Sequence, residues 1–256
     1  RAAELLKSQA TPDEAVDTWR WWIMLWKARV RLAMTEGDLD ALDESTGALV
    51  QLGTDAAHVP TLQFALETRM VSAQERGDWD RLLEHAVARL RLDGAEPSPD
   101  AIGLHRWAQA LSFWSKGETP EALESIEEGL SLKPERPRPG VWLRLAALKA
   151  HILIDQRTMA RAEQAMAELG EAAVQGDDLA LTIQARILES QVSRFKGRPE
   201  EALMLLKEVA GEMPPEHVRT AACQLELELA RAHLDFGWIT SAEDHVAQAR
   251  ELAKRD

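Results

Sequence analysis

The sequence predicts an all-α fold, an α-solenoid of about six antiparallel helix hairpins with a 40-residue period. Three observations carry that prediction. Gly37, Gly77, Gly117, Gly197 and Gly237 lie on one 40-residue grid, with Arg157 in the remaining place, although the chain holds only 14 glycines. Five residues after each grid point stand Leu42, Leu82, Ala122, Ala162, Ala202 and Ala242. Apolar residues before the grid points recur at helical spacing, as in Leu143, Ala147, Ala150 and Ile154. A period of this size marks stacked supersecondary units, each burying its apolar face against its neighbours.

Each element follows from that grid. A first helix runs up to the grid glycine, which ends it by adopting the left-handed conformation without a side-chain clash. A second helix starts at once, and its fifth position is small in four of six repeats, as a close helix crossing requires. Pro12, Pro60, Pro99, Pro120 and Pro199 fit first helical turns. Pro97, Pro134, Pro137, Pro139, Pro214 and Pro215 fall between hairpins. The expected organisation of 1–256 is one helical repeat domain: a half-repeat at 1–10, then hairpins near 13–52, 59–92, 99–133, 140–175, 178–211 and 215–253. Residues 1–10 read as the second helix of a missing repeat. The chain is therefore expected to be a piece of a longer protein, or to form a homodimer through a solenoid end.

Glycine at the turn, alanine five residues later and proline closing the second helix resemble the tetratricopeptide repeat, best seen in Ser112–Ala122 and Pro134. The 40-residue period and the text Leu229–Gly237 resemble the longer variant found in sensor domains of MalT-like, LuxR-type bacterial regulators. The resemblance implies a right-handed superhelix whose groove is lined by first-helix positions thirteen, ten, six and three residues before the turn. Carried over, these are Leu104, Trp107, Leu111 and Trp114; Arg144, Ala147, His151 and Ile154; and Gln184, Ile187, Gln191 and Arg194, with Arg31 and Arg231 extending the stripe. Arg194 is expected to serve binding while contributing little to stability. One column departs from the family: eight residues before the turn stand Arg29, Arg69, Gln109, Lys149, Glu189 and only last Leu229. A rotated first helix, with the groove beside Arg69 and Lys149, is the alternative that this column raises.

Composition and motifs exclude much chemistry. Thirty basic against 43 acidic residues give a formal net charge of −13, which disfavours nucleic acid and anionic membrane. One cysteine, Cys223, precludes an intrachain disulfide and any multi-thiolate metal site. No run approaches the roughly 20 apolar residues of a membrane span, and a cytoplasmic setting is expected; a bacterial one is what the resemblance to LuxR-type regulators implies. No phosphate-cradling loop, His-Glu-x-x-His or Gly-x-Ser-x-Gly occurs, and the seven histidines are dispersed. No enzyme activity, cofactor or metal is expected. Carboxylate runs such as Glu127–Glu128 and Glu226/Glu228 read as solvated helix faces. Of the first-helix cations, Arg76, Lys116 and Lys196 precede helix-ending glycines and read as offsets to the helix dipole. Arg106, Lys149 and Arg186 read as partners for those carboxylates; a stripe for anions is the alternative. Trp19, Trp22 and Trp26 share one helix face, and core and contact readings of them both stand.

Two functions fit. One is a non-catalytic scaffold that binds a partner peptide or helix on the concave face. The alternative is a ligand- or inhibitor-sensing module of a larger MalT-like transcriptional regulator.

Overall fold

The computed structural model describes the backbone of residues 12–132, 139–176, 179–212 and 219–253. The expected half-repeat at 1–10 lies outside the described residues. Twelve helices occur among them: α1 Pro12–Glu36, α2 Leu39–Asp55, α3 Val59–Glu75, α4 Trp79–Leu92, α5 Pro99–Ser115, α6 Thr119–Ser131, α7 Pro139–Asp155, α8 Met159–Gly176, α9 Leu179–Phe195, α10 Pro199–Glu212, α11 Arg219–Asp235 and α12 Ile239–Ala253. The described residues contain no strand.

The forty-residue grid marks the hairpin turns. Gly37, Gly77, Gly117, Gly197 and Gly237 all have φ between 67° and 80°, and Arg157 has φ 58°. At every turn the next residue's N–H reaches the carbonyl five residues back, as in Asp78 to Ala73 at 2.8 Å and Thr158 to Leu153 at 3.0 Å. This closure satisfies carbonyls that a helix end leaves open. The residue after the turn then caps the second helix: Asp38 accepts from the Ala41 N–H at 2.8 Å, and Asp78 from the Arg81 N–H at 3.1 Å. Arg157 holds the left-handed conformation without glycine's freedom, and its guanidinium lies 4.0 Å from the Phe195 ring centroid.

Residues five after each turn are buried in every hairpin. Leu42, Leu82, Ala122, Ala162, Ala202 and Ala242 are each at most 3% exposed. The chain divides into two compact units, 1–101 and 102–256. The core of the first gathers Ile23, Val30, Leu42, Leu49, Leu52 and Ala65, with Trp19, Trp22 and Trp26 half-buried against it. In the second, an alanine-rich cluster around Ala147, Ala150, Ala162 and Ala165 lets α7, α8 and α9 approach closely. A further cluster joins Ile183, Ile187, Leu206 and Leu229.

Candidate functional site

The first-helix faces of unit 102–256 carry a polar network that converges on one buried carboxylate. Glu228, on α11, is 1% exposed. Its Oε1 accepts from Gln191 Nε2 of α9 at 2.9 Å, and its Oε2 from Arg194 NH1 at 3.2 Å. Arg231, one helical turn further along α11, also pairs with it. The rest of the Arg194 fork binds Asp235, with Nε 2.7 Å from Oδ2. A buried carboxylate is tolerated only when charge-assisted hydrogen bonds replace its water, and here two guanidiniums and an amide do so.

Two aromatic contacts join α5 to α7. The Trp114 ring meets His151 edge-on at 5.1 Å between centroids. Arg144 lies over the Trp107 ring at 5.1 Å. Burial pushes the His151 pKa below its ordinary value of 6.5; Asp155 and Glu228 oppose that shift, and Arg231 reinforces it.

The expected site residues divide by depth. Leu104, Trp107, Leu111 and Ile187 are buried, Trp107 to 3% exposure, and Gln191 lies at 6% beneath the surface. Trp114, Arg144, His151 and Arg194 are half-buried, and Arg231 is exposed. Arg31, exposed on α1, belongs to the other unit. Gln191, Arg194 and Arg231 thus meet at Glu228, while Trp114 and His151 pair with each other. Arg194 is not the free binding cation expected, because its fork ties α9 to two carboxylates of α11.

Glu228 itself was expected on a solvated face. It is buried because nine residues before the turn is a column facing the neighbouring first helix. In α3, α5, α7 and α9 that column holds the buried Thr68, Ala108, Leu148 and Leu188, while Ala28 of α1 is exposed. A lone acid in such a column is the signal that identifies it. The charged column eight residues before the turn lies beside the second helices. Lys149 Nζ sits 2.9 Å from Glu127 Oε1 of α6, and Arg69 Nε reaches the Thr46 hydroxyl of α2 at 3.4 Å. Other first-helix cations also meet second-helix carboxylates: Arg106 with Glu128 and Arg186 with Glu212, both at 2.7 Å, and Lys196 with Glu163. These pairs absorb much of the cationic stripe.

A shallow cleft in unit 1–101 is lined by Asp43, Arg69, Ser72, Arg76, Arg81 and His85, with Asp78 and Glu84. Its three arginines face three carboxylates, and Arg76 is held by Asp40 at 2.6 Å. Among the described residues no group of three His, Cys, Asp or Glu is placed to hold a metal ion. No described helix is long and apolar enough to cross a membrane.

Repeated left-handed hairpin turns, five of six on glycine, with alanine at four of the six crossings, give a tetratricopeptide-like helical repeat fold. Solved structures share this fold. The structure of a Rap protein complexed with Competence and Sporulation Factor matches with a TM-score of 0.67 at 13% identity, over 99% of this chain and 69% of that one. The apo form of RapI gives a TM-score of 0.62 at 10% identity, over 94% and 91% of the two chains. BtubC (BKLC) from P. vanneervenii gives 0.55 at 16% identity, over 84% and 91%. No protein-family model and no curated protein matches the sequence.

Proposed function

We propose that this chain is a non-catalytic interaction scaffold that binds a partner peptide or helix on the first-helix face of unit 102–256. The reachable contact groups are Trp114, Arg144, His151, Arg194 and Arg231, with Leu104, Trp107, Leu111, Ile187 and Gln191 supporting them from below. The observation that carries this reading is the buried Glu228. It costs desolvation and holds two guanidiniums and an amide in fixed geometry at a surface that also presents an aromatic pair. Aromatic and arginine side chains dominate binding energy at interfaces, and pre-ordered ones lose less entropy on contact. An amphipathic segment suits such a surface: its apolar side covers Trp114, and its polar side meets Arg231 and Arg144.

The test is selection of peptides from a displayed random library on this chain, followed by calorimetry. Trp114→Ala and Arg231→Ala are expected to weaken a selected peptide by about 1 kcal/mol or more each. Peptides that bind both variants as well as the parent overturn the location.

The second reading is a sensing module of a larger MalT-like bacterial regulator acting in the cytoplasm, with a ligand or inhibitor on the same face. It draws support from the Leu229–Gly237 text and from the neighbour whose structure holds Competence and Sporulation Factor. A nucleotide-binding segment and a helix-turn-helix encoded in the same gene are its expected signature, and their absence from the full-length gene counts against it.

A further inference from the structure

The outer face of α1 is built to receive a helix. In α3, α7, α9 and α11 the positions five and twelve residues before the turn are filled by Ser72 and Ala65, Ile152 and Leu145, Val192 and Ala185, and Ala232 and Leu225. All are 7% exposed or less. The preceding second helix packs against each of these four helices. At one such junction, the Leu145 side chain lies 3.0 Å from where a Cβ on Gly129 of α6 would stand. In α1 the same columns hold Leu32 at 56% and Leu25 at 49% exposure, followed by Trp21 at 70%. Large apolar groups therefore stand in water where four other first helices bury theirs. An exposed stripe of this kind marks an interaction surface.

Charge selects the occupant. Arg20, Arg29 and Arg31 flank the stripe, and among the described residues none has a carboxylate partner. Arg20 and Arg29 lie instead over Trp19 and Trp26, at 5.9 and 4.7 Å. Among the described side chains of this face the three arginines outnumber the exposed Glu36, on a chain of net charge −13. At the other end, α12 exposes Ile239, in the position where Leu39, Trp79 and Met159 are half-buried in other second helices. Beside it are the exposed Glu243 and Asp244, which lack cationic partners among the described residues.

We propose that α1 receives α12 of a second copy of this chain. Copies then join head to tail through a junction of the kind that links α2 to α3 and α6 to α7. Pairing of α1 with α1 would instead bring together two sets of arginines that have no carboxylate partner among the described residues. A head-to-tail contact is heterologous and leaves one face of each type open, so growth continues past the dimer unless the rotation closes a ring.

Sedimentation velocity from nanomolar to high micromolar concentration is the test. The weight-average mass is expected to rise beyond a dimer with concentration and to fall with added salt. Leu25→Glu/Leu32→Glu removes the α1 face, and Ile239→Lys/Glu243→Lys removes the α12 face. All four side chains are exposed, so circular dichroism should match the parent. Each variant alone is expected to stay monomeric, while their mixture forms a one-to-one dimer that grows no further. A parent that is monomeric throughout overturns the proposal. So does an α12-face variant that still self-associates, or a mixture that forms no dimer.

Discussion

Among the described residues each compact unit buries a charged side chain in a hydrogen-bonded network, and the two networks differ in what they join. In unit 1–101 the buried charge is Arg89, with its side chain 5% exposed. It donates to Asp93 Oδ1 at 2.6 Å and Glu67 Oε1 at 3.1 Å. Asp93 in turn accepts from the Ser98 N–H at 3.0 Å, and the Ser98 hydroxyl accepts from the Ala101 N–H that opens α5. All of these groups clamp α3, α4 and the following loop together. In unit 102–256 the buried charge is Glu228, and its partners Arg194 and Arg231 extend to the surface. Both networks reach the half-buried layer, through Glu67 in one and Arg194 in the other, but only that of Glu228 ends on a side chain as exposed as Arg231.

The largest difference is expected from deleting each charge. Arg89→Met leaves two acids facing each other beside an apolar core and should cost about 3 kcal/mol in urea unfolding. A cost near zero would mean that the clamp is ornamental. Ala202→Phe probes the crossing that both units share in kind, since Ala202 is fully buried. It should cost about 2 kcal/mol by overpacking, and melts that coincide with the parent would contradict the hairpin register. Arg194→Ala should cost about 1 kcal/mol, because Gln191 and Arg231 still satisfy Glu228. An unchanged melting temperature would return Arg194 to the role of a free surface cation.

Acid should separate the units more gently. His105, His151 and His233 in the second unit have pKa values lowered by burial, as has His85 alone in the first. A histidine with a depressed folded pKa binds its proton less readily folded than unfolded. Stability is therefore lost as pH falls below the unfolded value of about 6.5. Asp93 behaves differently. Burial raises its pKa, but the hydrogen bonds from Ser98 and Arg89 outweigh that and hold it at about 2. Its contribution is present above the ordinary carboxyl range and is lost only as pH falls towards 2. Hydrogen exchange compared at pH 7 and pH 5 should show protection lost mainly in 102–256. Equal loss in both units would contradict this assignment.

Local chemistry made the fold legible. A turn that needs positive φ selects glycine, and a close crossing selects alanine, so both leave columns in the sequence. The spacing was strong enough to place Arg157 at a turn without its glycine. The site was legible only in part. The resemblance to the tetratricopeptide repeat implied one stripe for Trp114, His151, Gln191, Arg194 and Arg231, but depth within that stripe depends on the neighbouring helix. Trp107 and Trp114 occupy the same stripe, yet one is buried and the other half-buried. Glu228 was missed because charge was taken as a sign of exposure. The Gln191 contact that makes it tolerable spans 37 residues of sequence.

The central claim is that buried Glu228 holds a binding surface in place rather than merely stabilising the fold. Glu228→Gln tests it most directly, since it keeps the shape and removes the charge that aligns Arg194 and Arg231. The measurement is calorimetry of a library-selected peptide against parent and variant, with circular dichroism to confirm equal helix content. The prediction is affinity at least tenfold weaker with the helical spectrum unchanged, equivalent to about 1.4 kcal/mol of binding. Equal affinity for both proteins would contradict it.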